Sequence, residues 1–213
     1  MKKIIMTLAA LVMVAGAAAF AQAPVEISKK DMNTINKTAK KLAKEKVRDG
    51  WQLVESTTME EAIKEVLIAK KKGCQEIVGT AFGKRDMVVA KTGARNAAIN
   101  EYIEYSKSMV TARINTEVTD LTGEETNNLV TGYERLVVKE IDGEIRPAFT
   151  MYKQNKGSID MESHFIIDVD AAAVAREKAF KQAVKEAELA AKFGDVVSNF
   201  VHDGFDSEKT IGE

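Results

Sequence analysis

The stretch IRPAFTMYKQNKGSIDMESHFIIDV, residues 145–169, predicts a β-hairpin. Two runs, 145–153 and 159–169, flank the short polar segment QNKG, which has the length and composition of a hairpin loop. In the second run apolar and polar residues alternate, so that one face of a strand is apolar and the other carries charge. The apolar face holds Ile159, Met161, Phe165, Ile167 and Val169. This pattern predicts a half-buried antiparallel strand.

The polar face of that strand carries the candidate site. Asp160, Glu162 and His164 occupy alternate positions, which share one face of a strand at intervals of roughly 7 Å. Side chains so placed can converge on a cation or act as an acid–base pair. The simpler interpretation is a polar outer face opposite the apolar inner one, and it accounts for every residue of the stretch. We take the polar outer face as the prediction and keep the metal or acid–base role as a hypothesis.

Helices rich in alanine flank the hairpin on both sides. One is predicted from Ala171 onward and another from about Met87. In the latter, apolar residues on two stripes indicate burial on two sides, and the alanines indicate close packing against a sheet. Residues 109–118 fit both a strand and a helix, and we favour the helix. The small residues of the earlier helix are Ala90, Gly93, Ala94, Ala97 and Ala98.

The remaining elements complete an α+β order. A helix is predicted from Ser28 to Gly50, a short strand at 51–54, a helix between Thr58 and Gly73, and a strand at 74–82. We therefore predict an α+β fold with a small, mostly antiparallel sheet and long alanine-rich helices packed on one side. Because no Pro- or Gly-rich linker interrupts it, 24–203 is predicted as a single domain. The polar end, 204–213, is predicted as a flexible C-terminal tail.

The first residues have the pattern of a signal peptide. Lys2 and Lys3 precede an apolar segment at 4–20, and small residues follow at the spacing required for cleavage after Ala21 or Ala23. Residues 1–23 are thus expected to direct export, to the periplasm, the outer membrane or the medium. The apolar run is near the lower limit of a membrane span, so an uncleaved anchor stays open as the alternative.

Composition argues against several classes of protein. With 31 Lys and Arg against 32 Asp and Glu, the net charge is −1, which is not typical of a nucleic-acid binder. One Cys excludes an internal disulfide, and only two His side chains are available for a metal site or a His-centred triad. Cys74, at the start of an apolar strand, is predicted as a small buried residue, with a bridge between two chains as the alternative. No nucleophile, phosphate-loop or zinc motif is present, so we predict a non-enzyme without a cofactor.

The first predicted helix has a strongly basic face. Lysines on such a face are most often simply solvated, and contact with an anionic membrane surface is the alternative. The apolar side of this helix is small and lacks aromatic residues, which favours the solvated interpretation. The lysines concerned are Lys29, Lys37, Lys40, Lys41 and Lys44.

Three segments carry a resemblance to a known family. QEIVGTA at 75–81, AKTGARNAA at 90–98 and INTEV at 114–118 resemble the small membrane-associated bacterial lipoproteins of about twenty kilodaltons, and their relative, the N-terminal domain of the flagellar assembly protein T. The segments around Gly50 and 58–73 are similar to exported members of Bacteroides type. The resemblance spans about 50–190 and implies an α+β envelope protein without assigned catalytic residues. The family's acylated N-terminal Cys is missing here, so lipid anchoring is not carried over.

Together these features predict an exported cell-envelope protein of structural or protein-interaction role. Its expected partner is another envelope protein or a second copy of the chain. The alternative is a module that binds a small envelope ligand or an anionic membrane surface. A metal-dependent enzyme or hydrolase built on Asp160, Glu162 and His164 is the third hypothesis.

Overall fold

A computed structural model describes residues 26–118, 120–141 and 143–193. The predicted signal peptide, 1–23, and the predicted tail, 204–213, lie outside the described residues. Within them, no helix has the length and apolarity that crossing a membrane requires. The elements are α1 (Lys29–Arg48), β1 (Gln52–Leu53), α2 (Met59–Lys71), β2 (Cys74–Lys84), α3 (Met87–Glu117), α4 (Gly123–Ile141), β3 (Arg146–Asn155), β4 (Ser158–Asp168), α5 (Val169–Glu186) and α6 (Ala190–Phe193).

The four strands form one antiparallel sheet in the order β1-β3-β4-β2. β3 and β4 are the predicted hairpin, and their pairing closes at Asn155 opposite Ser158. Only Lys156 and Gly157 form the turn, and Gly157 has a φ of +79°, which glycine adopts without steric cost. The turn is therefore shorter than the four residues expected. The predicted α+β class with an antiparallel sheet is confirmed.

The long alanine-rich helices lie on one face of the sheet, as predicted. Phe165 and Ile167 of β4 contact Ala98 and Tyr102 of α3 and Ala172 of α5. The segment 109–118 is helical up to Glu117. Val110 and Ile114 are buried there against α4 and α5, which explains why its apolar residues also follow a helical period.

The helical hairpin of α1 and α2 covers the opposite face of the sheet. Ala39 and Ala43 of α1, Ile63 of α2, and Phe149 and Met151 of β3 belong to one buried cluster. The sheet is thus the middle of three layers. The polar face of β4 looks towards α1 and α2, so the expectation of a solvated outer face is wrong for the part that they cover.

The helix starts predicted at Ser28 and Thr58 are confirmed. Ser28 Oγ accepts a hydrogen bond from the Asp31 backbone N–H at 3.1 Å. Thr58 and Glu61 each accept a hydrogen bond from the other's backbone N–H, which is the reciprocal pattern of a capping box. These local bonds satisfy N–H groups that have no partner within the helix.

Gly79 allows β2 and α3 to pack backbone to backbone. A Cβ at this position would lie 1.8 Å from the carbonyl oxygen of Ala94 and 2.7 Å from the backbone nitrogen of Ala98. Both atoms belong to the main chain of α3, so no side-chain rotation relieves the overlap. Because α3 contacts β2 along this line, the separation of these two layers depends on the missing side chain.

We predict that Gly79→Ala destabilises the fold by about 3 kcal/mol, since α3 must move away from the sheet. Urea unfolding of the variant measures the loss. Gly143→Ala is the matched control, because nothing lies within 4 Å of a Cβ there. Equal unfolding midpoints for the two variants would contradict the close contact.

Candidate functional site

The structure does not bring the three predicted site residues together. Asp160 lies at the turn end of the hairpin, where its Oδ1 accepts from the Gly83 backbone N–H at 2.9 Å and its Oδ2 from Asn155 Nδ2 at 2.5 Å. Glu162 and His164 lie further along β4, beneath α1 and α2. In the described part of the chain no three His, Cys, Asp or Glu side chains form a group that could hold a metal ion. Asp160 thus lies at the turn, apart from Glu162 and His164.

Glu162 and His164 belong instead to a half-buried group of five charged side chains, which we term the His164 cluster. His164 Nδ1 lies 2.8 Å from Glu76 Oε1, and Glu76 Oε2 is 3.0 Å from Lys70 Nζ. Lys46 Nζ donates to Glu162 Oε2 at 2.6 Å, and the same oxygen is 3.8 Å from His164 Nε2. Every acid therefore has a basic partner, and the group joins α1, α2, β2 and β4.

The His164 ring is held by stacking as well as by charge. Its centroid is 4.1 Å from that of Phe149, with 14° between the ring planes. The side chain is only 11% exposed. An imidazole clamped between a phenyl ring and a carboxylate has one preferred orientation.

Three members of the cluster were not identified from the sequence as site residues. Lys46 and Lys70 belong to the first two predicted helices, and Glu76 belongs to the predicted strand at 74–82. Lys46 and Lys70 lie near the ends of α1 and α2, and the packing of both helices on the sheet brings them over Glu162 and Glu76. The usable signal is an acid on each of two strands, Glu76 and Glu162, together with lysines near the ends of α1 and α2.

The cluster changes the protonation of its members. A hydrogen bond with His164, assisted by Lys70, lowers the pKa of Glu76 to about 2 against the effect of burial. Burial alone would lower the pKa of His164, but Glu162 and Glu76 outweigh it and raise that pKa above 6.5. Burial likewise opposes ionisation of Glu162, whereas His164 and Lys46 prevail and lower its pKa. The cluster therefore shifts its acids towards the ionised form and the imidazole towards the protonated form.

Cys74 is a free thiol at the first position of β2, opposite Asp168 on β4. It is partly buried rather than fully buried as predicted, because it occupies the end of the strand. Burial, together with the charge of Asp168, raises the pKa of the thiol. A raised pKa reduces the thiolate fraction and with it the nucleophilicity.

The first helix, for which membrane contact was the alternative to a solvated basic face, uses its apolar stripe inside the protein. Ile35, Ala39 and Ala43 of α1 are buried, and the two alanines pack with α2 and β3, so this stripe is not available for insertion between lipids. The five lysines considered above are exposed, as the solvated interpretation requires. Contact with an anionic surface through their charge alone stays a prediction, and salt would weaken it.

The second candidate site is a surface, the outer edge of β2. β2 pairs with β4 along one side, and on its other side no strand among the described residues pairs with it. Residues 77–83, IVGTAFG, carry no charge. Phe82, within this run, is 60% exposed, and Val88 and Val89, in the first turn of α3, are 72% and 55% exposed. We term residues 77–83 the β2 edge.

We predict that acid destabilises the fold partly through Glu76. Its pKa is lower in the folded chain than in the unfolded one, so its contribution is present above pH 4.5 and is lost as the pH falls towards 2. Because solvent reaches part of the side chain, the contribution is on the order of 2 kcal/mol. Urea unfolding at a series of pH values measures it.

Glu76→Gln isolates this contribution, since glutamine keeps the size and does not titrate. The difference in unfolding free energy between wild type and variant should shrink as the pH falls from 4.5 to 2. Glu60→Gln, on the exposed first turn of α2, is the control and should run parallel to wild type. A constant difference for Glu76→Gln would show that the carboxylate charge contributes nothing.

Comparison with known proteins gives no match to a family model, to a curated protein or to a solved structure. The resemblance to the small lipoproteins thus stays a prediction.

Proposed function

We propose that this chain is an exported cell-envelope protein that acts without catalysis, by self-association through the β2 edge. The signal-like N-terminus supports export. The observation that carries the proposal is the β2 edge: a strand of 11 residues whose outer side pairs with no strand that the structure describes.

Unpaired strand edges invite pairing, and monomeric proteins usually guard them. The common guards are charged side chains, proline, a β-bulge or a covering helix. Here the uncharged run covers seven residues, and in the described pairing of β2 with β4 the register shifts between Ala81 and Lys84, at one end. The centre of the strand, from Ile77 to Thr80, contains no charged residue and no proline, and its pairing with β4 has no bulge.

A second copy of the chain fits this edge. Two copies of one strand pair antiparallel around a twofold axis, and each then satisfies the backbone groups of the other. Pairing centred on Thr80 keeps residues 77–83 of one copy opposite 77–83 of the other, so no charged residue lies within the paired segment. The exposed Phe82 adds apolar surface beside the strand.

We predict that the chain from Pro24 onward is a dimer in solution, as measured by sedimentation equilibrium. Thr80→Lys together with Phe82→Lys places like charges on both edges, and should weaken the dimer at least about tenfold. Reductant should not change the mass, because pairing across the β2 edge does not use Cys74.

Val138→Lys together with Val174→Lys is the matched control. It adds the same charge at exposed valines, 40% and 61% exposed, on α4 and α5. It should dimerise as wild type does. A wild-type monomer at high micromolar concentration would overturn the proposal, as would equal weakening by both pairs of substitutions. A dimer that reductant dissociates would assign the contact to Cys74 instead.

A further inference from the structure

The exposed side of α1 is a continuous basic surface. At about 100° per residue, seven cations of the helix fall within an arc of about 120°, away from its buried stripe. Both acids of the helix, Asp31 and Glu45, lie outside that arc. All seven cationic side chains are exposed, and we term them the α1 basic face: Lys29, Lys30, Lys37, Lys40, Lys41, Lys44 and Arg48.

The rest of the chain does not neutralise the α1 basic face. Among the described residues Arg48 has an acidic partner, Asp49 at 3.4 Å, and the six lysines of the face form no ion pair. The whole helix carries eight Lys and Arg against two acids, whereas the net charge of the chain is −1, so that all other residues sum to −7. The positive charge of the protein is therefore concentrated on one helix of one layer.

The form of this surface fits a charged plane. A helix of 20 residues is about 30 Å long, and the cations extend from its first residue to its last. Because Ile35, Ala39 and Ala43 on the other side are buried, the helix does not insert between acyl chains. Adsorption by charge requires no insertion, and each Lys or Arg near an anionic bilayer strengthens it on the order of fivefold.

An open groove of about 420 Å³ lies between α1 and the first turn of α2. Its apolar lining consists of Ala43, Val47 and Met59, of which Val47 is 59% exposed. Glu60 is its acidic residue, and three cations of the basic face also line it: Lys40, Lys44 and Arg48. A phospholipid offers the same combination, an anionic phosphate next to hydrocarbon, so the groove favours a lipid over a polymer that carries charge alone.

The composition of the α1 basic face argues against a nucleic acid as the partner. It contains no aromatic side chain on which a base would stack. Six of its seven cations are Lys, whereas the planar fork of Arg is better suited to nucleic-acid recognition. The acidic balance of the other residues would also repel a polyanion that extended beyond this helix.

We propose that the α1 basic face docks on the surface of a membrane that contains anionic phospholipid, with lipid phosphate groups against its lysines. The face shares no residue with the β2 edge, so membrane docking and dimerisation are tested separately.

The test is co-sedimentation of the chain from Pro24 onward with vesicles of phosphatidylcholine that contain about one-third phosphatidylglycerol. We expect saturable binding to these vesicles and at least tenfold weaker binding to vesicles of phosphatidylcholine alone. Binding to the anionic vesicles should also fall at least tenfold between about 0.1 M and 1 M salt, because the screening length shortens from about 10 Å to about 3 Å.

Two triple variants with the same net charge locate the contact. Lys37→Gln, Lys40→Gln and Lys44→Gln together remove three charges from the α1 basic face and keep good helix formers. They should weaken binding to anionic vesicles at least tenfold. The matched control removes three exposed lysines from helices of the opposite layer, and should bind as wild type does: Lys91→Gln, Lys139→Gln and Lys185→Gln.

Equal weakening by the two triple variants would overturn the proposal, because net charge and not the α1 basic face would then govern binding. Absence of binding to the anionic vesicles, or equal binding to neutral ones, would overturn it too. A double-stranded DNA fragment that binds more tightly than the anionic vesicles, at equal phosphate concentration and salt, would assign the face to a nucleic acid instead.

Discussion

The two faces of β4 have different chemistry, and the layered structure depends on both being covered. One face is apolar and packs on α3 and α5. The other carries Glu162 and His164, which are only 19% and 11% exposed. Charged groups are withdrawn from water at a cost, which pairing must offset. The layer formed by α1 and α2 supplies Lys46 and Lys70 for that purpose. The same two helices therefore cover this face of the sheet and pair its charges.

Much of the fold follows from local patterns. The alternation of residues 159–169 predicts a strand with one apolar face, because side chains in a strand point to opposite sides in turn. Ser28 and Thr58 predict helix starts, since each hydroxyl accepts from a backbone N–H within one turn. The helical end of α3 follows from Val110 and Ile114, which are four residues apart and both buried.

The cluster could not be predicted because it depends on contacts between distant parts of the chain. Glu76 and His164 are 88 residues apart, and Lys46 and Glu162 are 116 apart. A polar stripe on a strand looks the same whether water or another layer lies over it. The register of β2 against β4 decides which acid meets His164, and its irregularity between Ala81 and Lys84 leaves Asp160 beside Gly83. A single segment of the sequence does not show which of these distant residues meet.

The proposed function uses the outer backbone edge of β2, on the side away from β4. The central claim is that the edge is paired in solution. Amide hydrogen exchange of residues 77–83, measured at low and at high protein concentration, tests it most directly. The account predicts that part of these amides exchange more slowly as concentration rises, while amides of the central strand β4 do not change. Exchange of 77–83 that is independent of concentration would contradict it.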